Sequence, residues 1–352
     1  MKKKISYTIA LLMGCVLMAS ACGGAPAASA PAEPVAPALE SLRTLPSGEE
    51  FVVGYDAGDD QNIDGLLKAC AETKMECVRG KDIDELVQKG VDAIISFSNK
   101  WHVSGAWGQI QNAKAASIPI FMLNADSGEQ GVYNLSTSCS SIRAGLEWMM
   151  EEMGGEGEFI YFNFGQNGYL QDIINEVLAA NPNVKATSMP ADYENPGFTT
   201  ESIVEMLRNN PQIKSIWTSE KVMDIFWAAN QAGKEGLPVP LVLCETNPDA
   251  LNAWKEELAL QHAVKAFAAI PAGNTDYEGV YAAYYHLAGL EFNQDTLGGR
   301  FGNTLLYDYP ILTSENLNEW MGKLDTLQNK EQMGYVLPAM TAEEIRAKWF
   351  ID

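Results

Sequence analysis

The stretches Asp92-Ala-Ile-Ile-Ser-Phe-Ser-Asn99 and Ala115-Ala-Ser-Ile-Pro-Ile-Phe-Met-Leu-Asn124 decide the fold of this chain. Each is a short apolar run that ends in polar residues, the pattern of a strand buried on both faces. Between them Ala106, Trp107, Ile110 and Ala113 recur at helical spacing. A strand, a helix and a second strand of this kind predict a parallel crossover, because parallel neighbours need a connection that returns across one face of the sheet.

The same grammar extends in both directions. Upstream, Phe51–Tyr55 reads as a strand, Ile63, Leu66, Leu67 and Cys70 as a helix face, Met75–Val78 as a strand, and Ile83, Leu86 and Val87 as another helix face. Downstream come a strand at Val132–Leu135 and a helix face at Ile142, Leu146, Met149, Met150 and Met153. The cluster Gly154-Gly155-Glu156-Gly157 interrupts the pattern, which then restarts. Strands are predicted at Phe159–Phe164, Val184–Ser188, Ser215–Thr218, Leu241–Cys244 and Val264–Ile270, with helices between them. Alternation of this kind predicts parallel sheets with helices on both faces. The restart predicts two of them, so the expected class is α/β with two doubly wound, Rossmann-like domains.

Composition narrows the function. The 24 basic and 46 acidic residues give a net charge of −22, which disfavours nucleic acid as a partner. Cys70, Cys77, Cys139 and Cys244 fit no metal-binding Cys-x-x-Cys spacing. Cys70 and Cys77 flank a helix-to-strand turn, where both a bridge and buried thiols are open readings. The chain lacks a phosphate-binding Gly-x-x-x-x-Gly-Lys loop, a Gly-x-Ser-x-Gly elbow and a His-Glu-x-x-His pair. Its histidines, His102, His262 and His286, read as surface or core residues. Nothing assembles a nucleophile, a base and an oxyanion site, so a binding protein is expected rather than an enzyme, with no cofactor and no metal. A secreted hydrolase is the competing class, and turnover assays discriminate the two.

Polar residues collect where the predicted strands end. Ligands of open parallel sheets bind beyond the carboxyl ends of the strands. Asp56–Asn62, Ser98–Trp101 and Asn124–Asp126 occupy such positions in the first half. Gly165–Tyr169, Ser219-Glu220 and Glu245–Asn247 do so in the second. Helix capping accounts for some of these Asp, Asn and Ser residues individually. As a set they predict a cleft between two edges that takes a small polar molecule. The expected contacts are Asp56, Asp60, Asn99, Trp101, Asn124, Asp126, Tyr169, Glu220 and Glu245, with Trp101 as a flat apolar wall.

From Phe51 to about Thr313 the order of elements resembles the type I periplasmic binding proteins of ABC sugar importers, in particular the ribose-binding-like branch. The segments that carry the resemblance are Asp92–Asn99 with Ala115–Asn124, Ala191-Asp192-Tyr193, Ala232-Gly233-Lys234, Val239–Glu245 with Asn247-Pro248-Asp249, and Leu312–Asn316. The resemblance implies a multi-strand hinge between an N-terminal lobe of residues 48–155 with 270–301 and a C-terminal lobe of 156–269 with 302–352. It also implies that the helix from Thr275 to Leu290 packs on the first sheet. Asn99 stands where the family places a ligand-contacting asparagine, and Glu220 and Glu245 stand at second-domain contact positions. Asn124-Ala125 replaces the usual Asp-Arg, Gly58-Asp59 the usual aromatic pair, and Ala269 a glutamine. The remaining groups are rich in acceptors, which suits a polyol, an amino sugar or a cationic small molecule. A sugar or sugar-like ligand, delivered to an ABC permease, is what the resemblance implies. A sensor ectodomain for a receptor kinase or chemoreceptor would share this binding chemistry.

The first 22 residues predict where the protein works. Lys2, Lys3 and Lys4 precede an apolar run from Ile5 to Met18, and Ala19-Ser20-Ala21-Cys22 closes it. This is the pattern of a bacterial lipoprotein signal in residues 1–21, with Cys22 lipidated. Residues 22–47 are rich in Ala, Gly and Pro and are expected to serve as a tether. The predicted location is the outer face of the cytoplasmic membrane, extracellular or periplasmic, with a lipid anchor at Cys22.

Overall fold

The computed structural model describes residues 45–59, 61–97, 106–124, 129–136, 138–163, 168–190, 199–218, 222–244, 248–259, 264–270, 273–299, 301–308, 310–325 and 337–351. The chain opens with β1 (Val52–Tyr55), α1 (Asp64–Thr73), β2 (Glu76–Arg79), α2 (Ile83–Lys89), β3 (Ala93–Phe97), α3 (Ala106–Ala115), β4 (Ile120–Leu123) and β5 (Val132–Ser136). Every residue of β3 and β4 is buried, Ser96 of β3 included, as strands covered on both faces require. Side chains alternate between two cores. Val53, Ile95, Phe121 and Leu135 face one side, while Ile94, Ile120, Met122 and Val132 face α2 and α3 on the other. Each fully buried Ile, Leu or Phe contributes about 1.5–3 kcal/mol, so the pattern locks the register against a one-residue slip.

The second sheet is built from α4 (Ser138–Glu152), β6 (Glu156–Asn163), α5 (Gly168–Ala180), β7 (Asn183–Pro190), α6 (Thr200–Asn209), β8 (Ile213–Thr218), α7 (Val222–Lys234), β9 (Leu241–Cys244), α8 (Pro248–Ala259) and β10 (Ala266–Ala269). There follow α9 (Thr275–Leu287), β11 (Glu291–Phe292), β12 (Leu297–Gly298), β13 (Thr304–Leu306), β14 (Ile311–Leu312), α10 (Leu317–Leu324), α11 (Ala342–Trp349) and β15 (Phe350–Ile351). Among the described residues the sheets run β12-β13-β5-β4-β3-β1-β2 and β14-β10-β9-β8-β6-β7, with a separate β11-β15 pair. Each main sheet is parallel except for its edge strand, β12 or β14. The expected pair of doubly wound α/β sheets is present.

The passages between the sheets differ from the expected boundaries in three places. Residues 138–155 do not belong to the first lobe. Leu146, Met149, Met150 and Met153 of α4 pack with Phe159, Trp217, Leu243 and Phe267 of the second sheet. The glycines at 154 and 155 are a helix C-terminus: both have positive φ, and their N–H groups donate to Glu151 O and Met150 O. Residues 302–306 do not belong to the second lobe, because β13 pairs with β5; the passage falls at 307–310, before β14 pairs with β10. Residues 337–351 return to the first lobe. Ile345, Trp349 and Phe350 share its core, β15 pairs with β11, and the Trp349 indole N–H donates to Leu306 O at 3.0 Å. α9 packs on β3, β4 and α1 of the first lobe.

Cys70 and Cys77 form a disulfide with a Cα–Cα separation of 6.2 Å, which staples the end of α1 to β2. The Cys244 thiol is buried, outside any disulfide, and donates to Phe267 O at 3.7 Å. His286 is partly buried and packs against Phe121, Tyr133 and Phe292, and burial lowers its pKa. Among the described residues, no helix is long and apolar enough to cross a membrane.

Candidate functional site

Both main sheets contain the same strand order, β2-β1-β3-β4-β5 in one and β7-β6-β8-β9-β10 in the other. In each, the chain winds outward from the first strand in both directions. The crevice between β1 and β3, and that between β6 and β8, therefore open at the carboxyl ends of the strands. Of the predicted site residues, the described ones lie at these edges: Asp56 after β1, Asn124 at the end of β4 and Tyr169 in the first turn of α5.

At the first edge, Asp56 follows β1 directly and is 2% exposed. Its Oδ1 accepts the Phe97 amide N–H at 2.8 Å and its Oδ2 the Ser96 hydroxyl at 3.0 Å. The carboxylate ties the ends of β1 and β3 together at the crevice. Asn124 ends β4 with φ 51°, a left-handed conformation that asparagine tolerates better than most residues. Its N–H donates to Leu135 O at 3.0 Å, and its Oδ1 accepts from the Thr275 hydroxyl at 3.3 Å. This exposed side chain connects the strand edge to the N-terminus of α9. Asp60, Asn99, Trp101, Asp126, Glu220 and Glu245 lie outside the described residues, as does Cys22. Tyr169 lies in the first turn of α5, at the second edge, and its side chain is outside the description. The structure thus brings Asp56 and Asn124 to one edge.

Arg79 and Asp276, which the predicted strand-end set leaves out, also shape this edge, together with Gln61 of the Asp56–Asn62 loop. Arg79, at the end of β2, donates to Ala57 O at 3.0 Å and to Asp59 Oδ1 at 2.5 Å, across the loop that follows β1. Gln61 accepts the Gly58 N–H at 2.6 Å in the same loop. Asp276 is buried and accepts the Leu66 N–H at 2.8 Å, joining the first turns of α1 and α9. Burial raises its pKa, against the opposing pull of those backbone bonds. An arginine closing a strand was the one signal available in sequence. The partners of Asp276 and Thr275 are more than a hundred residues away, and no local pattern announces them.

At the second edge, the Tyr161 hydroxyl donates to Gln171 at 3.0 Å and its ring stacks on Trp217 at 6.2 Å. Thr200, at the start of α6, donates to Asp224 in α7 at 3.0 Å. A groove of about 540 Å³ runs along α6 and α7, but helix faces line it, and Arg208 there is already paired with Glu205 and Glu235. It is not the strand-edge crevice. Among the described residues, no three His, Cys, Asp or Glu side chains are grouped to hold a metal ion.

Residues 79–291, more than half of the chain, match the model of a family described as periplasmic binding protein domain. No curated protein sequence matches. Among solved structures, the chain is similar to an ABC sugar transporter subunit from Rhodobacter sphaeroides, at 18% identity over 76% of this chain and 99% of that one, TM-score 0.50. It is similar to a glucose-galactose binding protein from Geobacillus stearothermophilus, at 10% identity over 76% and 98%, TM-score 0.53. It is also similar to a 5-methylthioribose transporter solute binding protein from Thermotoga lettingae, at 12% identity over 87% and 98%, TM-score 0.50. At these identities the likenesses establish a shared fold.

Proposed function

The chain belongs to the periplasmic binding protein domain family and has the type I architecture of its neighbours, and from that premise we propose that it is a lipid-anchored solute-binding protein of an ABC importer. It takes a small polar ligand, a sugar or sugar-like molecule, between the two strand edges and passes it to a permease without chemical turnover. The observation that carries this reading is the repetition of one strand order in two lobes, with Asp56 and Asn124 at the crevice edge of the first. Half a site on each lobe surrounds a ligand only when the lobes close, which is how binding is signalled to a partner.

In this reading Asp60, Asn99, Trp101, Asn124 and Asp126 contact the ligand from the first lobe, and Tyr169, Glu220 and Glu245 from the second. Asp56 accepts from Ser96 and Phe97 of β3, so it holds the edge in shape as well as facing the ligand. Residues 1–21 act as the signal, Cys22 carries the lipid and residues 22–47 form the tether. The protein then works on the outer face of the cytoplasmic membrane. Mass spectrometry of whatever co-purifies with the body, followed by titration calorimetry against pentoses and hexoses, tests the ligand class. A co-purifying peptide or lipid, or consumption of the sugar, would overturn the reading. Cys22→Ala tests the anchor: the variant should leave the membrane fraction, and retention after a salt wash would refute lipidation at that residue.

A further inference from the structure

Three passages of the chain between the sheets meet at one side chain. Glu278 lies in the first turn of α9, just after the passage from β10. Its Oε1 accepts the Met340 amide N–H at 3.0 Å, on the segment 337–341 that leads into α11. The Tyr307 side chain, on the passage from β13 to β14, faces the same carboxyl. One turn earlier, the Asn274 amide donates to Leu337 O at 2.9 Å. Glu278 itself is 2% exposed.

We propose that Glu278 is a proton-operated latch: protonated, it holds the 337–341 segment against α9, and ionised, it releases that segment and loosens the connection between the lobes. The charges around it leave an ionised form poorly compensated. On its own helix the nearest is Asp276, also buried and acidic. On the passage, Tyr307 faces it, while Asp308 pairs with Lys348 of α11 at 2.5 Å. From α1, Lys68 lies over the Tyr277 ring at 5.0 Å, and Glu72 accepts from Tyr277 and Tyr281. From α11, Arg346 and Glu343 act on Tyr285. Among the described residues no cation acts on Glu278.

Burial is the dominant influence and raises the pKa of Glu278 to about 7, against the bond from Met340 and the pull of the nearby Tyr307 hydroxyl, with Asp276 adding to the rise. A carboxyl whose folded pKa exceeds its unfolded value of 4.5 stabilises the closed arrangement fully below 4.5. That stabilisation is lost as pH rises through about 7. Opening the 337–341 segment is the least costly relief, because it gives the charge access to water while leaving the α9 helix intact. The latch does not depend on which ligand the protein binds.

Hydrogen–deuterium exchange on the full chain from pH 5.5 to 8.5, corrected for the intrinsic pH dependence of amide exchange, tests the latch. Protection of the amides at 340–345 should hold steady in the acid range and then fall by on the order of tenfold to a hundredfold across the alkaline range. In Glu278→Gln, which preserves size and one acceptor, the same amides should show no pH dependence. A flat profile in the wild-type chain, or an unchanged slope in Glu278→Gln, would overturn the proposal. Should that variant fail to fold, the wild-type chain still decides. A fall confined to 337–345 and the start of α9 supports the latch, whereas an equal fall in α7 of the second lobe refutes it.

Discussion

Buried carboxyls sit in opposite electrostatic settings in the two lobes. In the first lobe Asp276 and Glu278 lie on α9, where every residue from Thr275 to Ala283 is buried between the sheet, α1 and α11. Burial wins there, and both groups hold their protons more tightly than an ordinary carboxyl. In the second lobe Glu158 on β6 is also buried, but Lys185 is its partner in register on β7 and reaches it at 3.0 Å. Burial pushes Glu158 up, yet the bonds from Thr187, Lys185 and Gln212 together outweigh it and hold the pKa below the usual carboxylate range. A residue at the rim of a sheet finds a cation across the strand, whereas one on a helix packed on all sides does not. Alkali should therefore strain the first lobe and acid the second.

The largest test of this contrast removes hydrocarbon, which has no charge to titrate. Trp254 in the second lobe and Trp349 in the first are both fully buried. Either Trp→Ala change should cost about 3–5 kcal/mol in denaturant unfolding. The Trp254→Ala loss should be the same at pH 6 and pH 8. The Trp349→Ala loss should vary with pH, since its ring lies edge-on to Tyr307 at 5.2 Å, next to the Glu278 cluster. Equal behaviour of the two would dissolve the comparison.

A smaller effect is expected at the proposed site, where each lobe contributes one half. Asn99→Ala and Glu245→Ala should each lose roughly 1.5–3 kcal/mol of affinity, about ten- to a hundredfold in calorimetry against the co-purified ligand. Unchanged affinity in both would move the site elsewhere. The disulfide stiffens only the first lobe. Its loss in Cys70→Ser with Cys77→Ser should cost about 2 kcal/mol, because the closed loop is short, and should leave exchange in the second sheet unaltered. The smallest effect is that of Glu158→Gln, about 1 kcal/mol near neutral pH. A depressed pKa stabilises above the unfolded value of 4.5 and loses that contribution as pH falls through the folded value. The variant should accordingly flatten the acid limb of the melting profile; an unchanged limb would assign acid sensitivity to other groups.

Much of the scaffold was legible in the chain because it rests on local repetition. Ala93–Phe97 and Ile120–Leu123 could only be strands buried on both faces, and the helix faces between strands fell where periodicity put them. The cluster Gly154–Gly157 was legible as a break but not as the right kind of break. A helix C-terminus and a linker both call for glycine, and only the packing of Met149, Met150 and Met153 on Phe159 and Phe267 separates the two. The tail was less legible still, because α11 is short and Trp349 and Phe350 find Leu306, Tyr307 and Phe292 across the chain. At the site, Asp56 and Asn124 were legible as polar residues at strand ends, whereas their engagement with Ser96, Phe97 and Thr275 was not.

By itself, then, the sequence determined the class of fold, the strands and most helices, the repetition of one unit, and the position of polar groups at strand ends. Periodicity and chain polarity are properties of neighbouring residues, and they survive without knowledge of the fold. Tertiary structure alone decided which sheet each helix serves, where the chain passes between lobes, and what becomes of a buried acid. Nothing local in Thr275-Asp-Tyr-Glu278 marks its two carboxyls as buried. Packing against α1, α11 and the sheet removes its water, and burial raises the pKa of both carboxyls.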